Sequence, residues 1–202
     1  MIKNIVFDFG GVFVDLNPHY LYDAYFGDVE KVNWFLANIC TMEWNGELDE
    51  NKSFEQGVEE LSAKYPEWAK EIAMYNEGWY QMVSQEPIPG MYEYVKELKE
   101  RGYKIYGLSN WNADKFKLVR HVFPVFDLLD AMVISGEEKV IKPKPGIYNI
   151  LLNRYNLVPS ESVFIDDNLN NIKGAQAVGM HGIQFTNKEA LVGPLEALLQ
   201  EK

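Results

Sequence analysis

The sequence has little positive charge and almost no cysteine. Its 202 residues contain 19 Lys and Arg against 30 Asp and Glu, which gives a formal net charge of −11. We expect so acidic a surface to repel nucleic acid and anionic lipid. The single Cys40 has no partner for an internal disulfide. No apolar run approaches the roughly 20 residues that span a bilayer, and Asp8 interrupts the first run too early for a secretory signal. These absences predict a cytoplasmic protein without a membrane or nucleic-acid partner.

The sequence is rich in apolar residues, and their pattern predicts an α/β fold. Hydrophobic residues make up 47% of the chain, which is enough for one domain with an insertion. Helical patterns such as "GMYEYVKELKERG", "KPGIYNILLNRYN" and "NIKGAQAVG" separate short apolar runs. Strands alternating with helices favour right-handed crossovers and a mostly parallel sheet. The predicted strands are "IVFDF", "KIYGLSN", "LLDAMVISG", "SVFIDD" and "HGIQF".

A long aromatic stretch between the first strand and the next helix breaks this alternation. Residues 17–86 are helical in pattern and contain no convincing strand. Structureless connections beyond about 12–15 residues are uncommon in compact domains, so the stretch needs its own structure. We therefore predict a helical cap at 17–86 and a core domain formed by 1–16 and 87–202. An insertion that leaves the carboxyl edge of the first strand would stand over a ligand site as a lid.

Polar residues that could bind a ligand or take part in catalysis follow three of the predicted strands. Each is an ordinary turn residue when taken alone, but together they predict a site at the carboxyl edge of the sheet. Gly10 and Gly11 would let the backbone curl close to a ligand there. Adjacent carboxylates raise each other's pKa unless a cation is near, and Mg²⁺ takes such hard oxygen ligands. The strand-end residues are Asp8, then Ser109 and Asn110, then Asp166 and Asp167.

Lys142, in "EEKVIKPKPGIY", is the candidate cation of this site. A lysine before a proline is often only a solvated surface charge. The excess of acids at the predicted strand ends favours a different interpretation, in which Lys142 holds a phosphate group and offsets Asp8. Prolines 143 and 145 would stiffen the approach of this segment.

The order and spacing of four motifs resemble those of the haloacid dehalogenase-like hydrolase superfamily. The motifs are "DFGGV", "LSN", "KPKPGIY" and "FIDDNLNNIKGAQAVG". "DFGGV" with "DDNLNNIKGA" is most similar to the branch that contains glucose-1-phosphatase-like enzymes and the phosphatase half of epoxide hydrolases. The resemblance implies a Rossmann-like core with the first strand at its centre and a helical cap inserted after the first motif.

The resemblance also implies roles for the residues that contact phosphate. Asp8 would be the nucleophile and would form an aspartyl-phosphate. Ser109, the Asn110 amide and the Gly11 amide would bind phosphoryl oxygens. Lys142, rather than Lys144, stands at the position of the family's lysine, directly before the first proline.

A magnesium site is implied in the same way. Asp8, Asp167 and the backbone carbonyl of Gly10 would bind Mg²⁺ directly, and Asp166 would act through water or from behind the ligands. Asn171 would orient this cluster. The implied substrate is a small phosphorylated metabolite.

Gly10 departs from the family's usual phosphatase pattern. An acid at this position normally protonates the leaving oxygen and then activates water. General acid–base catalysis typically contributes about 10²–10⁴-fold, so its loss need not abolish an enzyme. A leaving group that carries charge well, such as the anomeric oxygen of a sugar 1-phosphate, would suffer least. We therefore expect a sugar phosphate as substrate.

Two other functions stay open at this stage. A 2-haloacid dehalogenase also uses an aspartate nucleophile and needs no proton for its leaving halide, but it leaves the Asp166–Asp167 pair unexplained. A non-catalytic protein that binds a phosphorylated metabolite would keep the fold without turnover. The oligomeric state is not indicated.

The segment "CTMEWNGELDENKSF" is the candidate specificity element of the cap. We predict a turn around Gly46 that brings Trp44 and Asn45, with Glu43 and Glu47, into the site to bind the sugar. The alternative is that Trp44 packs between cap helices.

Overall fold

A computed structural model describes residues 1–200. The fold is built on a five-stranded parallel sheet. The strand order is β5-β4-β1-β6-β7, so the first strand is central. This confirms the predicted α/β class. The strands of this sheet are β1 (Asn4–Phe7), β4 (Lys104–Ser109), β5 (Ala131–Ile134), β6 (Ser162–Asp166) and β7 (His181–Gln184).

Two apolar cores lie on opposite faces of this sheet because side chains alternate along each strand. Ile5 and Phe7 point into one core, and Val6 points into the other. Helices α6 (Met91–Glu100) and α11 (Lys188–Gln200) cover the first face, while α9 (Pro145–Arg154) and α10 (Leu169–Ala177) cover the second. Two short helices follow strand ends: α7 (Ala113–Val119) and α8 (Ser135–Glu138).

Five further helices form a unit between β1 and α6, which we call the cap. Its aromatic side chains pack on one another, as Tyr22 does against Phe35 at 5.1 Å between ring centroids. The buried side chains of the cap are continuous with the apolar core on the first face of the sheet. The cap helices are α1 (His19–Phe26), α2 (Val29–Asn38), α3 (Met42–Glu50), α4 (Phe54–Lys64) and α5 (Ala69–Glu77).

A two-stranded antiparallel ladder joins the two ends of the cap to the core, and neither of its strands is among those predicted from the sequence. Strand β2 (Val14–Leu16) pairs with β3 (Val83–Pro87), with Leu16 opposite Val83. The prediction that 17–86 contains no strand was therefore wrong. Most of β3 is exposed and polar, so it lacks the apolar run that marks a buried strand. The exact domain limits stay a prediction.

The predicted turn around Gly46 is also wrong, because this segment is the regular helix α3. Thr41 caps it by accepting a hydrogen bond from the Trp44 backbone N–H at 3.2 Å. Only Trp44 and Leu48 are buried, so the apolar pattern is weak. Gly46 made the segment resemble a loop, although a single glycine costs a helix only about 1 kcal/mol.

Within residues 1–200, no helix is long and apolar enough to cross a bilayer.

Candidate active site

Asp8 lies at the carboxyl end of the central strand and is the hub of a buried polar cluster. It is 7% exposed, and one carboxylate oxygen, Oδ1, receives most of its contacts. The Ser109 hydroxyl and the Phe9 backbone N–H each donate to Oδ1 at 2.7 Å. The other oxygen, Oδ2, accepts no hydrogen bond from residues 1–200. Oδ1 is thus held in place, and Oδ2 is the oxygen that is available to a ligand.

Lys142 bridges two carboxylates at the centre of the cluster. Its side chain is fully buried, with Nζ 2.8 Å from Asp8 Oδ1 and 2.7 Å from Asp166 Oδ2. Lys144 lies outside the cluster, where it is half-exposed and pairs with Glu50. The structure therefore brings Lys142, and not Lys144, to the strand ends.

Burial and charge act in opposite directions on this bridge. Burial by itself lowers the pKa of Lys142, but Asp8 and Asp166 overcome it and raise that pKa above its ordinary value. Burial raises the pKa of Asp8; the Asp166 charge raises it further, while Lys142 opposes both. Two carboxylates thus share one ammonium, and the cluster keeps an excess of negative charge.

Asp166 is held by two asparagines in addition to Lys142. It is completely buried and accepts hydrogen bonds from the Asn168 backbone N–H at 2.7 Å and from the Asn171 side-chain amide at 3.0 Å. Asn171 therefore contacts the acid cluster, as expected for a residue that orients it.

The Asn110 side chain fixes the segment that carries Lys142. Its Nδ2 donates to the Lys142 carbonyl at 3.0 Å, and its Oδ1 accepts from the Lys142 backbone N–H at 2.8 Å. The side-chain amide is thus engaged by the Lys142 main chain rather than open to a phosphoryl oxygen. This pair of bonds ties the end of β4 to the Lys142 segment.

The structure corrects the role expected for Gly11. Its backbone N–H donates to the Val14 carbonyl at 2.9 Å and is not free to bind phosphate. Gly11 adopts φ +71°, and a Cβ built there would meet the Asp167 carboxylate. Its absent side chain therefore makes room for Asp167 beside the turn.

Three carboxylates present a donor set that fits a divalent metal. Asp8, Asp166 and Asp167 each offer an oxygen, and these oxygens lie within 4.8 Å of one another. Desolvation and the adjacent Asp166 charge raise the pKa of Asp167, which shows that negative charge is crowded there. Hard oxygen donors with excess negative charge suit Mg²⁺.

A cavity of about 790 Å³ opens above Asp8 and Lys142 and is lined by both the core and the cap. Five residues of α3 line its cap side, among them Asn45 and Asp49. The Asn45 amide donates to Asp49 Oδ2 at 2.8 Å and accepts from the Tyr75 hydroxyl at 3.0 Å. The Asn112 backbone N–H, from the core, donates to Asp49 Oδ1 at 3.0 Å.

Asp49 was not among the predicted site residues, because a turn was expected where α3 lies. Asn45 and Asp49 are four residues apart, which puts them on one face of a helix. Recognition of α3 as a helix would have grouped them.

Trp44 is not brought into this cavity. It is 8% exposed and packs edge-to-face on Tyr75, with ring centroids 5.1 Å apart. The cavity that it lines lies inside the cap, with Asn38 and Tyr65. Glu47 lies in that second cavity also, whereas Glu43 lines both.

The sequence model of the haloacid dehalogenase-like hydrolases matches residues 2–179, which include every residue of the cluster described above. The chain belongs to the haloacid dehalogenase-like hydrolase family. It is a hydrolase.

Full-length relatives of this haloacid dehalogenase-like hydrolase include two phosphatases. The chain is 28% identical to the sesquiterpene phosphatase of Aspergillus oryzae, over 98% of its own length and 96% of that protein. It is 26% identical to the D-ribitol-5-phosphate phosphatase of Bacteroides thetaiotaomicron, over 93% of both chains.

Solved structures show the same fold. A family enzyme from Bacteroides thetaiotaomicron, crystallised as a magnesium complex, superposes with a TM-score of 0.74 over 99% of both chains at 21% identity. The likeness therefore includes the cap as well as the core.

Proposed function

We propose that this hydrolase is a Mg²⁺-dependent phosphomonoesterase that acts on a small phosphorylated metabolite through an aspartyl-phosphate on Asp8. The observation that carries the proposal is the Lys142 bridge between Asp8 and Asp166, with the Ser109 hydroxyl on the same Asp8 oxygen. These contacts hold Oδ1 and leave Oδ2 to attack phosphorus. The two phosphatase relatives support the same reaction class.

Positioning and charge neutralisation are what phosphoryl transfer requires most. The positive charge of Lys142 would neutralise charge on the incoming phosphoryl group, and Ser109 would donate a hydrogen bond to a phosphoryl oxygen. Asp8 Oδ2 would then attack phosphorus, and the bond from phosphorus to the leaving oxygen would break. Hydrolysis of the aspartyl-phosphate by water would release inorganic phosphate and regenerate Asp8.

Asp8 and Asp167, with the Gly10 carbonyl, would hold Mg²⁺, and Asp166 would support it from its buried position. When bound, the ion would neutralise charge on the phosphoryl oxygens. Magnesium in the related Bacteroides thetaiotaomicron enzyme supports this assignment.

We propose a sugar phosphate, such as a sugar 1-phosphate, as the substrate class. Asn45 and Asp49 present hydrogen-bonding groups on the cap side of the cavity, and such groups suit a hydroxylated ring. Gly10 adds a second reason, because an anomeric leaving oxygen depends least on the missing acid.

The test is phosphate release from a panel of sugar phosphates and p-nitrophenyl phosphate, with Mg²⁺ and with a chelator. We expect release only with the metal, and a quenched reaction should contain one phosphoryl group on the peptide that carries Asp8. Halide release from 2-chloropropionate would instead favour a dehalogenase. Binding of sugar phosphates without release of phosphate from any substrate would indicate a non-catalytic binding protein.

A further inference from the structure

We propose that Asp49 of the cap is the general acid and base of this site, taking the task that Gly10 cannot perform. The proposal rests on the proposed phosphatase function and assigns it one more catalytic residue. It joins two observations: an acid position without a side chain, and a second carboxyl that faces the same cavity from the cap.

The backbone at Gly10 does not exclude a side chain. Its φ lies outside the left-handed region, and a Cβ built there meets no atom within 4 Å. Gly11, by contrast, has a positive φ, and a Cβ there would meet Asp167. Packing and strain therefore explain the glycine at position 11 but not the glycine at position 10. A site without an acid at position 10 needs another donor for the proton of the leaving oxygen, unless the leaving group needs no proton.

Four acids line the cavity above Asp8: Asp8 itself, Asp167, Glu43 and Asp49. Asp8 and Asp167 belong to the nucleophile and metal cluster. The remaining two, Glu43 and Asp49, come from α3 and line the cavity from the cap. A leaving group displaced from phosphorus by Asp8 departs away from Asp8, toward the cap side of the cavity.

Asp49 is fixed in place and Glu43 is not. Asp49 accepts from Asn45 at 2.8 Å and from the Asn112 N–H at 3.0 Å, and its backbone carbonyl accepts from the Ser135 hydroxyl at 2.6 Å. Glu43 is exposed, and its carboxylate makes no hydrogen bond or ion pair within residues 1–200. A catalytic acid must be held in position, which favours Asp49.

The environment of Asp49 also suits proton transfer near neutral pH. Burial raises the pKa of this carboxyl to about 7, against the hydrogen bonds from Asn112 and Asn45 and the charge of Lys142, which lower it. Lys142 of the core and Tyr75 of α5 are the titratable groups that face it. Each carboxyl oxygen accepts one hydrogen bond and keeps a second lone pair for the proton.

The proton balance is then closed. As Asp8 Oδ2 forms its bond to phosphorus, the bond to the leaving oxygen breaks and that oxygen takes the proton of the Asp49 carboxyl. In the second half, the Asp49 carboxylate takes a proton from the water that attacks phosphorus. The Asp8–phosphorus bond breaks, inorganic phosphate leaves, and Asp49 is protonated again.

The test is Asp49→Asn, which keeps the side-chain size and the oxygen that accepts from Asn112. We expect kcat/KM for a primary alkyl phosphate, such as a sugar 6-phosphate, to fall by about 10²–10⁴-fold. For p-nitrophenyl phosphate, whose leaving group needs no proton, kcat/KM should fall by less than about 10-fold. The variant should also show a burst of p-nitrophenol and accumulate phosphoenzyme, because hydrolysis of the aspartyl-phosphate has lost its base.

Glu50→Gln is the matched control, since Glu50 follows Asp49 on the same helix but is not among the residues that line the cavity. It should leave the alkyl-to-aryl ratio of kcat/KM unchanged. An equal fall on both substrates in Asp49→Asn would make Asp49 a structural contact between cap and core. No fall on either substrate would remove it from the reaction.

Wild-type enzyme provides a test that does not depend on the folding of a variant. The alkyl-to-aryl ratio of kcat/KM cancels every ionisation that both substrates require, including that of Asp8. The ratio should fall as pH rises through about 7, the pKa of Asp49, and a flat ratio would overturn the proposal. Absence of phosphate release even from p-nitrophenyl phosphate would contradict the phosphatase function itself, which is a different outcome.

Discussion

The two sides of the cavity differ in how their polar groups are held. On the core side, Asp8, Ser109, Lys142 and Asp166 are all buried and are joined by charged contacts of 2.7–2.8 Å. On the cap side, Asn45 and Asp49 are partly exposed and are held by neutral amide and backbone donors. The core side is built for the charge of a phosphoryl group, which all substrates share. Under the proposed function, the cap side would meet the part of the substrate that varies.

The largest effect should come from the core side at Asp8. We expect Asp8→Asn to reduce phosphate release by on the order of 10⁴-fold or more, as when other enzymes lose a nucleophile. The variant should stay folded, because Asn keeps the oxygen that accepts from Ser109 and Phe9. Phosphate release and a thermal melt measure the two properties. Retention of several percent of the activity would mean that Asp8 is not the nucleophile.

Lys142 should come next, with Lys144 as its matched control. Lys142→Ala removes the only ammonium between two buried carboxylates, and we expect a loss of about 10²–10³-fold in kcat. Lys144→Ala breaks an exposed ion pair with Glu50, which is worth about 0–1 kcal/mol at most. Activity should change by less than about twofold. Similar losses of activity in both variants would show that the Lys142 bridge between Asp8 and Asp166 has no special role in catalysis.

The neighbouring glycines of the first turn test the metal cluster. Gly11→Ala places a Cβ against Asp167 at a positive φ, so we expect a weaker affinity for Mg²⁺ and a loss of stability of about 1 kcal/mol. Gly10→Ala enters open space and should change neither property appreciably. Metal titration of activity and denaturant unfolding give the two readouts. Equal behaviour of the two variants would contradict the contact with Asp167.

Asp49 should also alter the pH dependence of stability, independently of catalysis. Its raised pKa means that the folded state holds a proton between about pH 4 and 7 that the unfolded chain releases. In the wild-type protein, the contribution of this carboxyl to the free energy of unfolding therefore falls as pH rises through that interval. The free energy of unfolding of Asp49→Asn, compared with that of wild type, should therefore be larger at pH 8 than at pH 4, as measured by urea unfolding at the two pH values. An equal difference at both pH values would contradict the raised pKa of Asp49.

The smallest effect on catalysis should come from Trp44, which lies behind the cap side. Trp44→Phe keeps an aromatic ring against Tyr75 and is expected to leave the ranking of sugar phosphates unchanged, while lowering the melting temperature. A changed ranking of substrates with an unchanged melting temperature would mean that Trp44 contacts the substrate.

The sequence predicted the core side better than the cap side for a physical reason. Asp8, Ser109 and Asp166 follow apolar runs, and parallel strands bring their carboxyl ends together, so strand order alone places these residues near one another. Lys142 was found through its motif. On the cap side, placement depends on the phase of α3, and the amphipathic signal of that helix is weak because only two of its residues are buried.

Two features could not be predicted from residue type. The Gly11 N–H is satisfied by Val14, which depends on the exact path of the turn. Strand β3 is defined by its partner β2 and not by its own polar sequence.

The β2–β3 ladder brings the two chain connections of the cap to one place, while α3 makes separate side-chain and backbone contacts with the core. Because Leu16 stands opposite Val83, the chain leaves the core and returns to it at neighbouring positions, and the five helices between them can be lengthened, shortened or exchanged without moving a strand of the parallel sheet. Insertions at such paired ends disturb the host domain little. Evolution can therefore change which molecule is admitted while it keeps the charged cluster beneath, and a protein engineer can graft the cap of one relative onto the core of another across the same two strands.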